Sequence, residues 1–223
     1  MRYPARFAPP PTDAGPMPAT LESPPRPPSS AAASSPPAPV PDVKLTETDY
    51  LHRERTAADG PRHEFADGEM IAMPGASFRH TRLAGQILAA LLNLVGDRPL
   101  AVTSADLRIR VPNGRHRYPD VLICPDPPAM LDDEQDTVTD PLVIVEILSP
   151  TTAVVDRGDK LDDYRSIPSL TDYLIVSQDE PTVDHYTRLS ETEWKLVTYS
   201  GPDAVVPVTD VGDLTLGPLY PAS

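Results

Sequence analysis

One long segment carries apolar residues at the spacing of an amphipathic helix. Between Ser77 and Gly96 these residues fall three or four positions apart, at Leu83, Ile87, Leu88, Leu91, Leu92 and Val95. Residues at this spacing share one helix face, and a glycine just after the last of them commonly ends a helix. The pattern predicts a helix over 77–96. Shorter helices are predicted over 46–57, begun by Thr46 or Thr48, and over 156–167.

Short runs rich in apolar and β-branched residues predict strands. Asp67-Gly68 separates two such runs and is typical of a two-residue hairpin turn. A second hairpin is predicted near the C-terminus, from the runs TVDHYTRL and WKLVTYSG. The other candidate strands are LAVTSADLRIRV (one strand or two), RYPDVLIC, PLVIVEIL, LTDYLIVS and, as a short edge strand, AVVPV.

This order of elements predicts an α/β fold. A mixed central β-sheet would be flanked by helices, with an N-terminal helix plus hairpin and a C-terminal hairpin. Residues 1–42 are instead dominated by Pro, Ala and Ser, and such a segment cannot bury enough apolar surface to offset its ordering entropy. We therefore predict a disordered tail over 1–42 and one domain over 43–223.

Composition narrows the class of protein. Of the 223 residues, 39% are hydrophobic and only 5% aromatic, so the core must be mainly aliphatic. One cysteine, Cys124, excludes an intramolecular disulfide, and no stretch approaches the roughly 18 apolar residues of a membrane span. A cytoplasmic protein that does not bind membranes is expected. The net charge of −14 argues against bulk electrostatic coating of nucleic acid but leaves room for a local basic strip.

Two carboxylates interrupt or open apolar strands. Asp120 follows Pro119 in RYPDVLIC, and Glu146 lies inside PLVIVEIL, where an unpaired ionised carboxylate would be costly. If the two strands are neighbours, both acids meet at one edge of the sheet and supply the hard oxygen ligands that Mg²⁺ or Mn²⁺ takes. The alternatives are a turn residue at the strand start for Asp120 and a buried ion pair for Glu146.

A lysine on the next predicted helix is a third candidate. Asp156, Lys160 and Tyr164 are spaced four apart and share one helix face. An ammonium beside the two carboxylates could orient a metal-bound water or help to deprotonate it. The alternative is an Asp156–Lys160 pair on the helix surface, worth about 0.3–0.5 kcal/mol.

Taken together, RYPDVLIC and PLVIVEILSPTTAVVDRGDKLDDYRSIPSLTDYLIV resemble the Uma-two family of restriction-endonuclease type, within the PD-(D/E)xK nuclease superfamily. The resemblance extends upstream to RHEFADGEMIAMPGASFRH and covers roughly residues 44–220. It implies a restriction-endonuclease-like fold for everything but the tail.

The resemblance also implies a metal site. Asp120, Glu146 and the main-chain carbonyl of Ile147 would be ligands of Mg²⁺, with Mn²⁺ as a substitute. The superfamily lysine usually stands two residues after the second acid, but Leu148 occupies that position here. In the family the lysine stands on the following helix, which points to Lys160.

Glu64 and His80 match further positions that the family shares. The resemblance implies an outer carboxylate or a second-metal ligand at Glu64, and a contact from His80 to the scissile phosphate or a water. The alternatives are a charge on the strand surface for Glu64 and a helix-capping role for His80.

A basic segment precedes Asp120 and indicates contact with a nucleic-acid backbone. The candidate residues are Arg79, Arg108, Arg110, Arg115 and Arg117. The alternative is that these arginines lie at strand ends that face solvent and bind nothing. The acidic segment DPPAMLDDEQDTVTD is expected to be a solvent-facing loop away from any nucleic acid.

The resulting hypothesis is a metal-dependent endonuclease that hydrolyses phosphodiester bonds, with DNA as the expected substrate. Cutting two strands favours a homodimer, with the C-terminal hairpin as candidate interface. One rival is a catalytically silent binding module with the same fold. Another is a glycoside hydrolase with Asp120 and Glu146 as its acid/base pair, which the scarcity of aromatic residues disfavours.

Overall fold

A computed structural model describes residues 44–57, 60–104, 106–148 and 158–220. The predicted tail, residues 1–42, lies outside these ranges, so the tail and its boundary with the domain stay predictions. In the ranges that are described, no helix is both long and apolar enough to cross a membrane.

The described residues form three α-helices, α1 (Glu47–Thr56), α2 (Phe78–Val95) and α3 (Asp159–Arg165), and a 3₁₀ turn at Gly217–Leu219. Thr46 caps α1: its hydroxyl accepts the Asp49 N–H while the Asp49 carboxylate accepts the Thr46 N–H. Ser77 caps α2, which ends at Gly96 in a positive-φ conformation. The first two predicted helices are therefore confirmed. Of the third, the structure describes α3, and Asp156 lies outside the described residues.

Each predicted strand run is present, and LAVTSADLRIRV forms two strands. The strands are β1 (His63–Ala66), β2 (Glu69–Ala72), β3 (Leu100–Ser104), β4 (Arg108–Arg110), β5 (His116–Arg117), β6 (Val121–Pro125), β7 (Thr137–Val138), β8 (Val143–Leu148), β9 (Asp172–Ser177), β10 (Thr182–Arg188), β11 (Trp194–Ser200), β12 (Val205–Val208) and β13 (Gly212–Thr215).

A six-stranded central sheet has the order β11-β10-β9-β8-β6-β3. Strands β8 and β9 are parallel and the other neighbours are antiparallel, so the predicted mixed sheet is confirmed. Val121 pairs with Val145 and Leu122 with Ile144, and one further step along this register sets Asp120 opposite Glu146. The two acids therefore meet at one end of neighbouring strands, as expected from the sequence.

The inner strands β6, β8 and β9 of the central sheet are buried on both faces. Helix α2 packs on one face through Leu83, Ile87 and Leu91, whereas Leu92 on the same helix is exposed. The other face carries Ile144 and packs with Tyr164 of α3. Because successive strand residues point to opposite faces, Glu146 shares the face of Ile144 and points toward α3.

A five-stranded sheet of order β2-β1-β5-β4-β7 contains the predicted N-terminal hairpin. Asp67 and Gly68 both have positive φ, the conformation that a tight type I′ turn requires and glycine tolerates best. This hairpin holds Glu64 on β1, paired across the ladder with Ile71 on β2.

Of two expectations about the remaining chain, one is wrong in part and one is confirmed. The acidic segment is not only a solvent-facing loop, because β7 within it is buried beside β4 and Asp136 forms an ion pair with Arg55. The run AVVPV forms β12, which pairs with β13 in a separate two-stranded sheet and buries Val206 and Val208. It is therefore a short edge strand, as expected from the sequence.

Candidate active site

Glu146 is 4% exposed and its carboxylate has two buried donors from α3. The Lys160 ammonium lies 2.9 Å from Oε1, and the Tyr164 hydroxyl donates to the same oxygen at 2.6 Å. Burial and the neighbouring Glu146 charge raise the pKa of Tyr164 well above its usual range, so the hydroxyl remains a hydrogen-bond donor. Helix α3 thus offsets the cost of placing a carboxylate in an apolar strand.

The Asp120 carboxylate contacts both α2 and the end of β8. Its Oδ2 accepts the main-chain N–H of Ile147 at 2.7 Å, and its Oδ1 lies 2.9 Å from Nε2 of His80. The Ser77 cap fixes the first turn of α2, since its hydroxyl accepts the His80 N–H at 3.1 Å. The capping role considered for His80 therefore belongs to Ser77, and the imidazole is directed at Asp120.

Glu64 lies beside the same lysine as Glu146. Its Oε1 lies 3.4 Å from the Lys160 ammonium, and its Oε2 lies 2.8 Å from the Arg117 guanidinium. Glu64 is buried, so it is not the surface charge considered as its alternative. All five predicted catalytic residues lie in one connected group. His80 contacts Asp120, and Asp120 contacts the main chain of Ile147, the neighbour of Glu146. Glu146 in turn contacts Lys160, which contacts Glu64. Their catalytic roles stay predictions.

A buried ion-pair network anchors α3 at the position that Lys160 needs. Arg117 donates to Oδ2 of Asp163 at 2.9 and 2.6 Å, while Oδ1 of Asp163 accepts from Asn113 and Arg115. Burial alone would lower the pKa of Arg117, but the carboxylates of Glu64 and Asp163 outweigh it and hold that pKa above its usual range. Since Asp163 stands one turn after Lys160, this network fixes the helix and, with it, the lysine.

The five arginines proposed to bind nucleic acid do not form one exposed strip. Arg108 and Arg117 are each 2% exposed and hold Asp136 and Asp163, which does not fit a direct contact with phosphate. Arg110 pairs with Glu47 and Arg115 with Asp67, both on partly exposed side chains. Arg79 is well exposed and pairs with exposed Asp179. For Arg79, Arg110 and Arg115, nucleic-acid binding stays a prediction.

The donor chemistry around Asp120 fits a hard divalent cation. Main-chain N–H and C=O of one extended residue point to the same side of its strand, so the Ile147 carbonyl is expected on the Asp120 side, next to Glu146. Two carboxylates and a carbonyl are ligands that suit Mg²⁺ or Mn²⁺. Within the described ranges, no three or more His, Cys, Asp or Glu side chains are grouped so as to hold a metal.

A mixed sheet with two acids on neighbouring strands, and a lysine against the second acid, is consistent with the class of restriction-endonuclease-like folds. Residues 48–217 match the model of the Uma2 family, described as "Putative restriction endonuclease". The match spans well over half of the chain, and the chain belongs to this family.

Other known proteins are similar to this chain in sequence or in fold. The uncharacterized protein sll1609 of Synechocystis sp. is 34% identical over 163 residues, 73% of this chain and 91% of that protein. The uncharacterized protein slr1290 of the same organism is 33% identical over 174 residues, 77% and 87% of the two chains. A crystal structure described as a putative nuclease belonging to DUF820, from Anabaena variabilis, has a TM-score of 0.63 at 19% identity and covers 78% of this chain and 97% of its own. That likeness shows a shared fold.

Two contributors to the site were not among the residues predicted from the sequence. Tyr164 shares the helix face of Lys160, and its four-residue spacing from the lysine was the available signal. Asp163 looks like one more acid in DKLDDYR, and nothing local distinguishes it from the exposed Asp159. Its importance comes from Arg117, which is distant in sequence.

Proposed function

We propose that this chain is a metal-dependent endonuclease that hydrolyses phosphodiester bonds in DNA, with Asp120, Glu146 and the Ile147 carbonyl holding Mg²⁺ or Mn²⁺. The observation that supports this most strongly is the 2.9 Å contact between Lys160 and Glu146. The ammonium lies against the second acid, Glu146, although the usual lysine position is Leu148.

The chain's own residues supply positioning and charge. Asp120 and Glu146 present their oxygens at one sheet end, and His80 orients the Asp120 carboxylate. Lys160, held between Glu146 and Glu64, is a fixed cation that stabilises negative charge developing on the scissile phosphate. A bound Mg²⁺ or Mn²⁺ would polarise the phosphate and make an attacking water more acidic.

A homodimer is part of the proposal, because two-fold symmetry suits cleavage of both strands of a duplex. Strand β11 forms one edge of the central sheet, and its Leu196 is 51% exposed. Sedimentation equilibrium is expected to give twice the chain mass of 24.2 kDa, and Leu196→Lys to shift the protein toward monomer. A monomer at micromolar concentration would contradict this part of the proposal.

The function itself is tested by cleavage of supercoiled plasmid with purified full-length chain. Nicking is expected in Mg²⁺ or Mn²⁺, to cease in excess EDTA and to return when the metal is restored. Protein that remains folded by circular dichroism, yet nicks neither DNA nor RNA with either metal, would favour the silent binding module. Cleavage that persists in EDTA would contradict the metal-dependent reaction.

A further inference from the structure

Helix α3 carries Lys160 and is too short to be stable by itself. It has seven residues, whereas isolated helices shorter than about 12–15 residues are marginal in water. Its N-cap residue is Gly158, which has no side chain to cap it, and Lys160 is the second residue after that glycine. The position of the lysine therefore depends on contacts that hold α3 from outside the helix.

One such contact comes from Arg188, the last residue of β10. Its Nη2 donates to the carbonyl oxygen of Arg165 at 3.0 Å and to that of Ile167 at 2.6 Å. Its Nε donates to the carbonyl oxygen of Leu170 at 2.6 Å. Arg165 is the last residue of α3, and the other two residues lie between α3 and β9. One guanidinium thus holds three main-chain oxygens at the C-terminal end of the helix.

The chemistry of this contact suits a helix end. The last carbonyls of an α-helix have no partner within the helix, and a cation near them is also favoured by the helix dipole. An arginine presents several N–H groups in fixed directions from one planar group. A shift of α3 would therefore break more than one of the Arg188 hydrogen bonds at once.

The guanidinium is itself held in place by the C-terminal hairpin. Arg188 pairs with Trp194 of β11 across the ladder, and its Cζ lies 4.4 Å from the centroid of the Trp194 ring. A ring against the face of a guanidinium leaves the in-plane N–H groups for the carbonyls. The main-chain N–H of Arg188 also donates to the carbonyl of Thr171 at 2.8 Å. The hairpin therefore supports one end of α3.

Resting on the proposed nuclease function, we propose that Arg188 is a positioning residue for Lys160. Asp163 and Tyr164 hold α3 through their side chains, and Arg188 restrains the main chain at its C-terminal end. Lys160 and Arg165 are only about 7.5 Å apart along the helix axis, at roughly 1.5 Å per residue. A displacement of about 1 Å at a reacting group can slow a reaction 10²-fold, so a small movement of α3 is enough to matter.

The first measurement needs no catalysis. The chain has three lysines, of which Lys44 and Lys195 are exposed and Lys160 is buried. Limited acetylation of the folded full-length chain with N-hydroxysuccinimide acetate, followed by mass spectrometry, gives the reactivity of Lys160 relative to Lys44. Arg188→Met is expected to raise this ratio roughly 10- to 100-fold, because losing a hydrogen bond to a charged group favours local opening by about that factor. Arg188→Lys should raise it less, since the cation remains without the planar fork.

Arg98→Met is the matched control. Arg98 also donates to main-chain oxygens at a helix end, those of Val95 in α2 and of Val211, but α2 does not carry the lysine. The reactivity of Lys160 should therefore be unchanged in this variant. An equal rise in Arg98→Met, or no rise in Arg188→Met, would overturn the inference.

The second measurement asks whether Arg188 acts through the lysine. Single-turnover cleavage of plasmid in Mn²⁺ is expected to slow roughly 10- to 100-fold in Arg188→Met, with unchanged affinity for Mn²⁺. In a chain that already carries Lys160→Met, the same substitution should slow cleavage no further. A similar slowing in both backgrounds would contradict a positioning role, since general damage to the fold does not depend on the lysine.

The two measurements separate this inference from the proposed function. Higher Lys160 reactivity in Arg188→Met, in a chain that cleaves nothing, would support the placement of the lysine by Arg188 and contradict the nuclease activity. Unchanged Lys160 reactivity, in a chain that cleaves DNA with Mg²⁺ or Mn²⁺, would contradict the inference and leave the nuclease activity intact.

Discussion

The Asp120→Asn variant is expected to cleave plasmid about 10²–10⁴ times more slowly than the unmodified chain. The substitution keeps the shape of the side chain and can still accept the Ile147 N–H, but it removes the negative charge that a divalent cation requires. Asp120 is only partly buried, so the fold should persist. Single-turnover cleavage in Mn²⁺ and calorimetric titration with Mn²⁺ measure the two effects, and both cleavage and metal binding should fall.

Two companion variants sharpen that experiment. Lys160→Met is expected to retain Mn²⁺ binding while cleaving about 10²–10⁴ times more slowly, because it removes the cation and leaves the acids. Asp133→Asn, an exposed acid elsewhere in the chain, should change neither quantity. If Asp120→Asn cleaved as fast as the unmodified chain, the nuclease activity would lie at another site or in a contaminant. Normal cleavage by Lys160→Met would remove only the lysine from the mechanism.

The Arg117→Met variant is expected to lower the free energy of unfolding by about 3–5 kcal/mol. It removes the only guanidinium that contacts both Glu64 and Asp163 in the described part of the chain, leaving two buried carboxylates poorly compensated. For a domain of this size that loss corresponds to a fall in Tm of roughly 6–20 °C. Urea unfolding followed by circular dichroism measures it.

Arg110→Met is the control for this stability prediction. Arg110 also forms an ion pair, with Glu47, but both side chains are 31% exposed. Water therefore screens the pair, and its loss should cost no more than about 1 kcal/mol. Similar destabilisation by the two variants would contradict the claim that the buried network around Asp163 anchors α3.

The sequence predicted most of the fold because its elements carry local signals. The apolar spacing in 77–96, the Asp67-Gly68 turn and the Thr46 cap act over a few residues, and each is found where expected. Strand β7 was missed because two buried residues within an acidic segment show no periodicity.

The site was predictable only as far as its residues share an element or a motif. Two acids in apolar strands and a lysine on the next helix are visible in the sequence. The register of β6 and β8 then sets the two acids opposite each other. The exposure of the basic residues could not be predicted because their ion-pair partners are long-range: Arg117 contacts Asp163 and Arg110 contacts Glu47, far apart in the chain. An arginine of strand β4 or β5 cannot be assigned to solvent or to a buried partner until these contacts are known.

The anchoring of α3 has a consequence for how this chain can vary. When the lysine is on the same strand as the second acid, its position is fixed by the number of residues between the two. Any insertion between them would displace it. Here Lys160 is placed by the contacts of Asp163 with Arg117 and of Tyr164 with Glu146. The sequence between Leu148 and Gly158 can then change in length among relatives while the lysine keeps its distance from Glu146, as long as the Asp163 and Tyr164 contacts are preserved.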